Sequence, residues 1–506
     1  MNPVISTNPA TGAVRTLDVF ESSAEDVRRH CAAAHVAADD LARRPLAWRS
    51  ALLRGIADEL ERDATVLIAI ADDETALGVP RLTGELRRTA YQFRFFANVV
   101  DDGAFLDATI DHATDSPMGP LPDLRRMRTP LGVVGVFGSS NFPFAFSVPG
   151  GDTASALAAG CAVVIKAHPA HPATSAACFE AMTRAARASG AADGSIALIF
   201  GLDAGVALVE APEVAAVGFT GSVAAGRALW ERANARTTPI PFFGELGAAN
   251  PLVITELAAS ERGGEIGTGL AGSMTLGVGQ FCTKPGLHFV PSGPSGDAVV
   301  AAMVDTLNDL GSMTMLSTGI ASHFRDGSAA IEATPGVTTL VGHDHDDDAH
   351  ATARLYEVGA AHFASSAGAA LRDECFGPVA VVVRFDSPGQ LRDALAHSDP
   401  ALTFSVFTGD DDPDGSWLVA TAAAHAGRVI LNGFPTGVGV SWSMHHGGPW
   451  PSTTVPAATS VGASAIERWL RPVAYQSVPD ELLPPALRED NVLAIPRRID
   501  GVMTLR

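Results

Sequence analysis

Cys282 lies in the run Gly277-Val278-Gly279-Gln280-Phe281-Cys282-Thr283-Lys284-Pro285-Gly286, a lone thiol bracketed by glycines after a helical stretch. A thiol in such a turn becomes a nucleophile when neighbouring donors or positive charge favour its thiolate. The ordinary alternative for a free cysteine, a small buried hydrophobe, suits Cys161 and Cys178 in their Ala-rich segments better. Glu245, in Phe242-Phe243-Gly244-Glu245-Leu246-Gly247, is a carboxylate among aromatics and glycines at the end of an expected strand. Apolar surroundings raise a carboxyl pKa toward neutrality, as a general base requires, whereas a strand-end glutamate paired with an arginine fits the residues equally well. Asn141, in Gly138-Ser139-Ser140-Asn141-Phe142-Pro143, offers an amide to a developing oxyanion and is also an ordinary turn former. Gly218-Phe219-Thr220-Gly221-Ser222-Val223-Ala224-Ala225-Gly226 closes a strand and opens a helix. That junction lets a helix N-terminus approach a pyrophosphate, although the GxGxxG fingerprint is missing.

Two acidic clusters have metal-ligand residue types without metal-ligand spacing. Residues 342–350 (Gly-His-Asp-His-Asp-Asp-Asp-Ala-His) read as a solvated loop, and Asp410-Asp411-Asp412-Pro413-Asp414-Gly415 as a turn, since it lacks the remaining spacing of a calcium loop. No metal site is expected.

Positioning these groups takes a large framework. The 506 residues suffice for two to four domains, and 47% hydrophobic with 18% charged residues is ordinary globular usage. A net charge of −21 disfavours phosphate backbones and anionic lipid as partners, so neither nucleic acid nor membrane is expected. Five cysteines without CxxC spacing fit a reducing cytoplasm, and the first 14 residues lack the pattern of a secretory signal. The charge-free stretches 131–151 and 429–466 are interrupted by Pro, Asn and His, which argues against membrane spans.

Helical apolar spacing over 22–100, through Trp48, Leu52, Leu53, Ile56, Leu60, Leu67, Ile68 and Ile70, predicts a helical N-terminal lobe. Strands are then expected over 133–137, 162–165, 196–200 and 215–219, alternating with helices over 152–159, 174–188 and 223–234. That alternation predicts an α/β fold with a doubly wound parallel sheet. A second α/β series, with a helix over 261–274 and strands over 379–385, 402–407 and 428–431, predicts a second α/β domain. The Pro-rich segment 116–130 reads as an extended excursion from the body.

Taken in order, these segments resemble the aldehyde dehydrogenase superfamily over nearly the whole chain, from Asn8-Pro9-Ala10-Thr11-Gly12 to Asn432-Gly433-Phe434 and beyond. The resemblance rests on Asn141-Phe142-Pro143, Lys166 after a strand, Phe219-Thr220-Gly221-Ser222, Glu245-Leu246-Gly247, Gly279-Gln280-Phe281-Cys282 and Glu374-Cys375-Phe376-Gly377-Pro378. The variants Gly244-Glu245-Leu246-Gly247-Ala248, Lys166-Ala167-His168-Pro169-Ala170-His171-Pro172 and Asn432-Gly433-Phe434-Pro435-Thr436-Gly437 resemble its NADP-accepting branch, which includes α-ketoglutaric semialdehyde (2,5-dioxovalerate) dehydrogenases and bacterial fatty aldehyde dehydrogenases.

The resemblance implies NAD(P)-dependent oxidation of an aldehyde to an acid through a thiohemiacetal and a thioester on Cys282. Asn141 and the Cys282 backbone N–H would hold the oxyanion, and Glu245 would deprotonate the hydrolytic water. Lys166 would hold the adenosine ribose, assisted by His168, with Gly221 and Ser222 on the pyrophosphate and Glu374 and Phe376 on the nicotinamide side. It further implies a Rossmann-like cofactor domain (1–115 and 131–246), a catalytic thiol domain (247–440), a return to the cofactor domain (441–478) and a small oligomerisation element (116–130 and 479–506) that forms a homodimer or homotetramer. Lys284 either points at Cys282 and favours its thiolate or points outward without effect. The favoured substrate is α-ketoglutaric semialdehyde, with Arg87, Arg88 and Arg94 as candidates for its carboxylate. Medium- or long-chain aliphatic aldehydes are the alternative, and a thiol esterase or acyltransferase a more remote one. NADP is expected over NAD, because Pro169 stands where NAD-preferring relatives often carry a glutamate, with Lys166 and a protonated His168 as the local cations.

Overall fold

The computed structural model describes residues 2–342 and 348–505. Residues 343–347, the centre of the first acidic cluster, lie outside them. The N-terminal apolar spacing becomes four helices, Ala24–Arg43, Leu46–Arg62, Ala64–Thr75 and Val79–Asp102. Their buried residues Leu52, Leu53, Ile56, Leu60 and Leu67 pack in one core with Val134, Val136 and Ile165 of the first sheet.

That sheet has the spatial order Phe242–Glu245, Val214–Thr220, Val133–Phe137, Ala162–Lys166, Ile196–Ile199 and is parallel throughout. Val133–Phe137 and Ala162–Lys166 are buried along their whole length, as strands covered by helices on both faces must be. The helices Gly151–Ala159, Pro172–Ala188, Leu202–Glu210 and Val223–Ala235 make the crossovers. The chain starts at Val133–Phe137, runs outward on one side and returns on the other. Strand order therefore reverses between Val133–Phe137 and Val214–Thr220, which opens a crevice beyond their carboxyl ends.

A seven-stranded sheet follows, in the order Thr338–Val341, Arg354–Gly359, Val379–Phe385, Leu287–Pro291, Pro251–Ile254, Ala401–Phe407, Ala426–Leu431. It is parallel except at the antiparallel edge strand Thr338–Val341. The helix expected from 261 begins earlier, as Glu256–Thr275: Thr255 Oγ1 caps it by accepting from Ala258 N at 3.2 Å, and a non-helical Arg262 (φ −139°) interrupts the period that the sequence pattern depends on. The turn at 410–415 consumes its own carboxylates: Asp412 Oδ1 accepts from Asp414 N at 2.9 Å, and Asp414 Oδ1 from Trp417 Nε1 at 2.6 Å.

A third sheet joins Leu470–Gln476, Leu124–Pro130, Thr109–Asp111, Arg497–Ile499 and Val502–Thr504. It corrects two expected boundaries. Leu470–Gln476, within the span read as a return to the cofactor domain, instead pairs antiparallel with Leu124–Pro130, from Leu470↔Pro130 to Gln476↔Leu124. Thr109–Asp111, placed in the cofactor domain by sequence, also pairs with this strand. Leu470–Gln476 finds its partner far along the chain, and Thr109–Asp111 is held between Leu124–Pro130 and Arg497–Ile499, pairings that local pattern does not carry. Among the described residues no helix is long and apolar enough to cross a membrane.

Candidate active site

The Cys282 turn is held from three directions. Gly277, Val278 and Gly279 all adopt positive φ (58°, 61° and 64°), and a Cβ on Gly279 would fall 2.2 Å from Gly377 O, so the thiol loop packs directly on the Gly377-Pro378 turn. Asn250 donates its Nδ2 to the carbonyls of Cys282 (2.7 Å), Ala248 (3.0 Å) and Lys284 (3.1 Å), while its Oδ1 accepts from Thr403 N at 3.1 Å. This clamp was not anticipated, although its place just after Gly247-Ala248-Ala249 marks it as the residue that ties the Glu245 and Cys282 segments together. Asn141, buried beyond the end of Val133–Phe137, donates one amide hydrogen to Gln280 O at 2.9 Å, and Arg81 Nη2 donates to Asn141 O at 2.6 Å. An amide nitrogen has a second hydrogen to offer an oxyanion.

Glu245 ends the strand Phe242–Glu245 and is buried. Its Oε1 accepts from His446 Nε2 at 2.8 Å and its Oε2 from the Ser460 hydroxyl. His446 Nε2 is also 3.6 Å from Cys282 Sγ, so thiol, imidazole and carboxylate form one group. His446 had served in the sequence only to break a charge-free stretch; paired histidines within that stretch were the available signal. The expectation that Glu245 is raised toward neutrality is corrected. Burial pushes its pKa up, but His446 and the hydrogen bonds from His446, Ser460 and Cys282 outweigh that and hold it below the usual glutamate value. Among the described residues no arginine hydrogen-bonds it. Cys282 is pushed well above the ordinary thiol range, first by burial and then by Glu245 and Glu374.

Lys284 takes neither expected orientation. It is buried, and its Nζ donates to Val379 O at 2.7 Å and Cys375 O at 2.9 Å, which makes it a brace for the loop carrying Glu374. Glu374 lies against Gly247, where a Cβ would fall 1.8 Å from Oε2, and burial raises its pKa to about 7 although Lys284 opposes the shift. Phe376 follows in the same loop, half-buried.

On the crevice side, Lys166 ends Ala162–Lys166, buried beside Gly205, and burial lowers its pKa to about 8. His168 is not a cation: its Nδ1 accepts from Ala170 N at 3.1 Å, and burial together with His171 and Lys166 holds its pKa well below the usual value. These surroundings oppose the protonated His168 expected beside a 2′-phosphate. Pro169 is exposed. Gly221 N donates to Glu245 O at 3.1 Å, and Ser222 caps Val223–Ala235 by accepting from Ala225 N at 3.3 Å. The N-terminal N–H groups of that helix lie at the crevice, a ready anion site.

Residues 2–470 match the profile of the aldehyde dehydrogenase family. The chain belongs to the aldehyde dehydrogenase family. This aldehyde dehydrogenase is 46% identical over 505 residues to alpha-ketoglutaric semialdehyde dehydrogenase 2 of Azospirillum brasilense, covering 98% of this chain and 95% of the relative. It is 40% identical over 460 residues to the alpha-ketoglutaric semialdehyde dehydrogenase of Acinetobacter baylyi, covering 90% and 87%. Its fold superposes with a TM-score of 0.79 on a Staphylococcus aureus betaine aldehyde dehydrogenase solved with NAD+ (21% identity, 94% of this chain and 93% of that chain). The TM-score is 0.78 for a Streptococcus pyogenes succinic semialdehyde dehydrogenase solved with NADP+ (17% identity, 94% and 100%). It also matches proline utilization A of Bradyrhizobium japonicum (TM-score 0.76, 21% identity, 91% of this chain), of which it spans less than half, 46%. The dehydrogenase is an oxidoreductase that uses NAD(P) and acts on an aldehyde.

The helix Val79–Asp102 presents a polar line to this site. Arg81 lies 5.1 Å from the Phe142 ring centre and 4.9 Å from that of Phe281. Arg88 lies 5.1 Å from the ring centre of Phe146, which neighbours His446 at 6.4 Å. Arg88 Nε donates to Val438 O at 3.3 Å, its buried Nη2 has no hydrogen-bond partner among the described residues, and the charges of Glu85, Cys282 and Glu245 act on it. Of the other two arginines considered for a substrate carboxylate, Arg94 is paired with Asp58 and Glu61 at 2.7 Å, and Arg87 is exposed.

Proposed function

We propose that this aldehyde dehydrogenase oxidises α-ketoglutaric semialdehyde to 2-oxoglutarate, with NADP preferred over NAD. Arg88 carries the substrate assignment. A half-buried arginine whose buried Nη2 is unpartnered among the described residues, within electrostatic reach of Cys282, suits a dicarboxylic semialdehyde whose far end is anionic. The names of the two curated relatives point the same way. For the cofactor, the buried Lys166, the capped helix N-terminus at Ser222 and the crevice at the reversal of strand order are the donor set that a dinucleotide requires. The absence of a carboxylate at Pro169 favours NADP, with Lys166 as the cation.

In this reading Cys282 Sγ bonds the aldehyde carbon, the carbonyl π pair moves to oxygen, and the thiol proton passes to the adjoining His446–Glu245 pair. The second Asn141 amide hydrogen and the Cys282 backbone N–H receive the oxyanion. Bound nicotinamide supplies the acceptor for the hydride that leaves the same carbon. Glu245 then takes a proton from the water that attacks the thioester, the C–S bond breaks, and the sulfur recovers a proton. A carboxylate held below its usual pKa is ionised and ready for this at neutral pH. Glu374 and Phe376 would hold the nicotinamide side.

Residues 1–115 and 131–246 form most of the cofactor unit and 247–440 the thiol unit in this proposal, and the enzyme works in the cytoplasm as a homodimer or homotetramer. The half-exposed edge strands Leu470–Gln476 and Ala426–Leu431 support the assembly, since a partner chain would cover them. Comparing kcat/KM for the semialdehyde and for hexanal tests the substrate. The semialdehyde is expected to be preferred, and Arg88→Met should cost it about tenfold to a hundredfold while leaving hexanal unaffected. A preference for hexanal in the unaltered enzyme overturns the assignment in favour of an aliphatic substrate.

A further inference from the structure

Cys282 Sγ, His446 Nε2 and Glu245 Oε1 converge on one point, and all three ligand atoms lie within 4.8 Å of one another. We propose that this trio binds a borderline divalent cation, Zn2+ being the type case, which holds Cys282 as a thiolate and reversibly blocks the enzyme. The metal has no assigned part in aldehyde oxidation. Its binding is independent of the substrate, whereas its inhibitory effect rests on Cys282 being the nucleophile.

The geometry is close to that of a tetrahedral site. With Zn–S near 2.3 Å and Zn–N near 2.0–2.1 Å, sulfur and nitrogen ligands stand about 3.5 Å apart. Cys282 Sγ and His446 Nε2 are 3.6 Å apart already. His446 Nε2 and Glu245 Oε1, at 2.8 Å, are hydrogen-bonded and must separate by roughly half an ångström to admit the ion. Donor orientation is built in. His446 N donates to Thr459 Oγ1 at 2.8 Å, Ser460 N donates to His446 O at 2.9 Å, and the Ser460 hydroxyl holds the other Glu245 oxygen. In the metal-free protein Nε2 carries the hydrogen given to Glu245; His446 Nδ1 has no hydrogen-bond partner among the described residues, so that proton can move to Nδ1 when the ion displaces the Glu245 contact, which frees the Nε2 lone pair for the metal. On binding, the thiol proton leaves to solvent, the S–metal bond forms, and two anionic ligands neutralise the divalent charge. Three protein ligands leave a fourth position open, as in exchangeable rather than structural zinc sites. Thiolate and imidazole select Zn2+ or Cd2+ over Mg2+ and Ca2+.

Competition between the enzyme and a chromophoric chelator for Zn2+, without substrate or cofactor, tests the site. One ion per chain is expected, undisturbed by millimolar Mg2+. Cys282→Ser and His446→Asn should each weaken binding at least tenfold, while Cys375→Ser, at the other half-buried thiol, should leave it unchanged. Two measurements on the unaltered protein cover the case of a misfolded variant: Cd2+ should produce a thiolate-to-metal absorption band, and Zn2+ should shield Cys282, but not Cys375, from iodoacetamide in peptide mass spectra. Binding that survives His446→Asn in a folded protein, or shielding at Cys375 instead, overturns the proposal. Full aldehyde oxidation with the site saturated overturns the block. An enzyme that binds Zn2+ here yet fails to oxidise the semialdehyde leaves the metal site standing and refutes only the substrate.

Discussion

Glu245 and Glu374 flank the same thiol, both raise its pKa, and burial pushes both carboxyls upward, yet they end on opposite sides of the ordinary glutamate value. Glu245 has His446 on one oxygen and Ser460 on the other, and is held low. Glu374 has Lys284 as its chief opposing charge, but that ammonium is committed to the carbonyls of Cys375 and Val379, and the carboxyl rises to about 7. The difference teaches that burial sets only the size of the penalty; the hydrogen bonds that reach the charged form decide whether it is met. One carboxylate is thereby held below the ordinary glutamate value, while the other rises to about 7 beside Gly247.

The sharpest way to break this contrast is Glu245→Gln, which keeps the shape and removes the proton acceptor. Steady-state oxidation should fall by about 10²- to 10⁴-fold, while the pre-steady-state burst of reduced cofactor persists. Loss of the burst would show that His446 cannot take the thiol proton without Glu245, so that the carboxylate is required for acylation as well as for deacylation. His446→Asn comes next, with an expected loss of about tenfold or more. It removes the principal group that lowers Glu245 and leaves burial largely unopposed, so the Glu245 pKa rises. A base must be ionised to act; the acid limb of kcat, which deacylation governs, should therefore lie below the ordinary glutamate value in the unaltered enzyme and move toward neutral pH in the variant. An unmoved limb would show that His446 does not set that pKa.

A third carboxylate can be added where solvent, not burial, surrounds it. Pro169→Glu at the exposed mouth of the crevice should stay ionised and shift the cofactor preference toward NAD by about tenfold, near 1.4 kcal/mol. A parent enzyme that already favours NAD by that factor would contradict the NADP assignment. The smallest effect is expected for Glu374→Gln. Removing this charge takes away one of the influences that raise Cys282, so alkylation by iodoacetamide should begin at lower pH, with a few-fold faster rate at pH 8. Slower alkylation would mean that Glu374 acts on the thiol in some way other than through its charge.

Much of this protein is written locally. Strand runs such as 133–137 and 162–165, the glycines around Cys282 and the Gly221-Ser222 junction depend on side-chain period, turn chemistry and helix capping, which neighbouring residues carry by themselves. The sequence by itself thus determined the doubly wound sheet, the positions of Cys282, Glu245 and Asn141 at element ends, and the family. Tertiary structure alone decided the state of those groups. His446 reaches Glu245 across 201 residues and Cys282 across 164, Lys284 turns from the thiol to carbonyls 91 and 95 residues away, and Leu470–Gln476 finds its strand partner at Leu124–Pro130. The physical reason is that a pKa, like an edge strand's pairing, is a property of the surroundings, and here those surroundings are assembled from segments whose local patterns carry no record of one another.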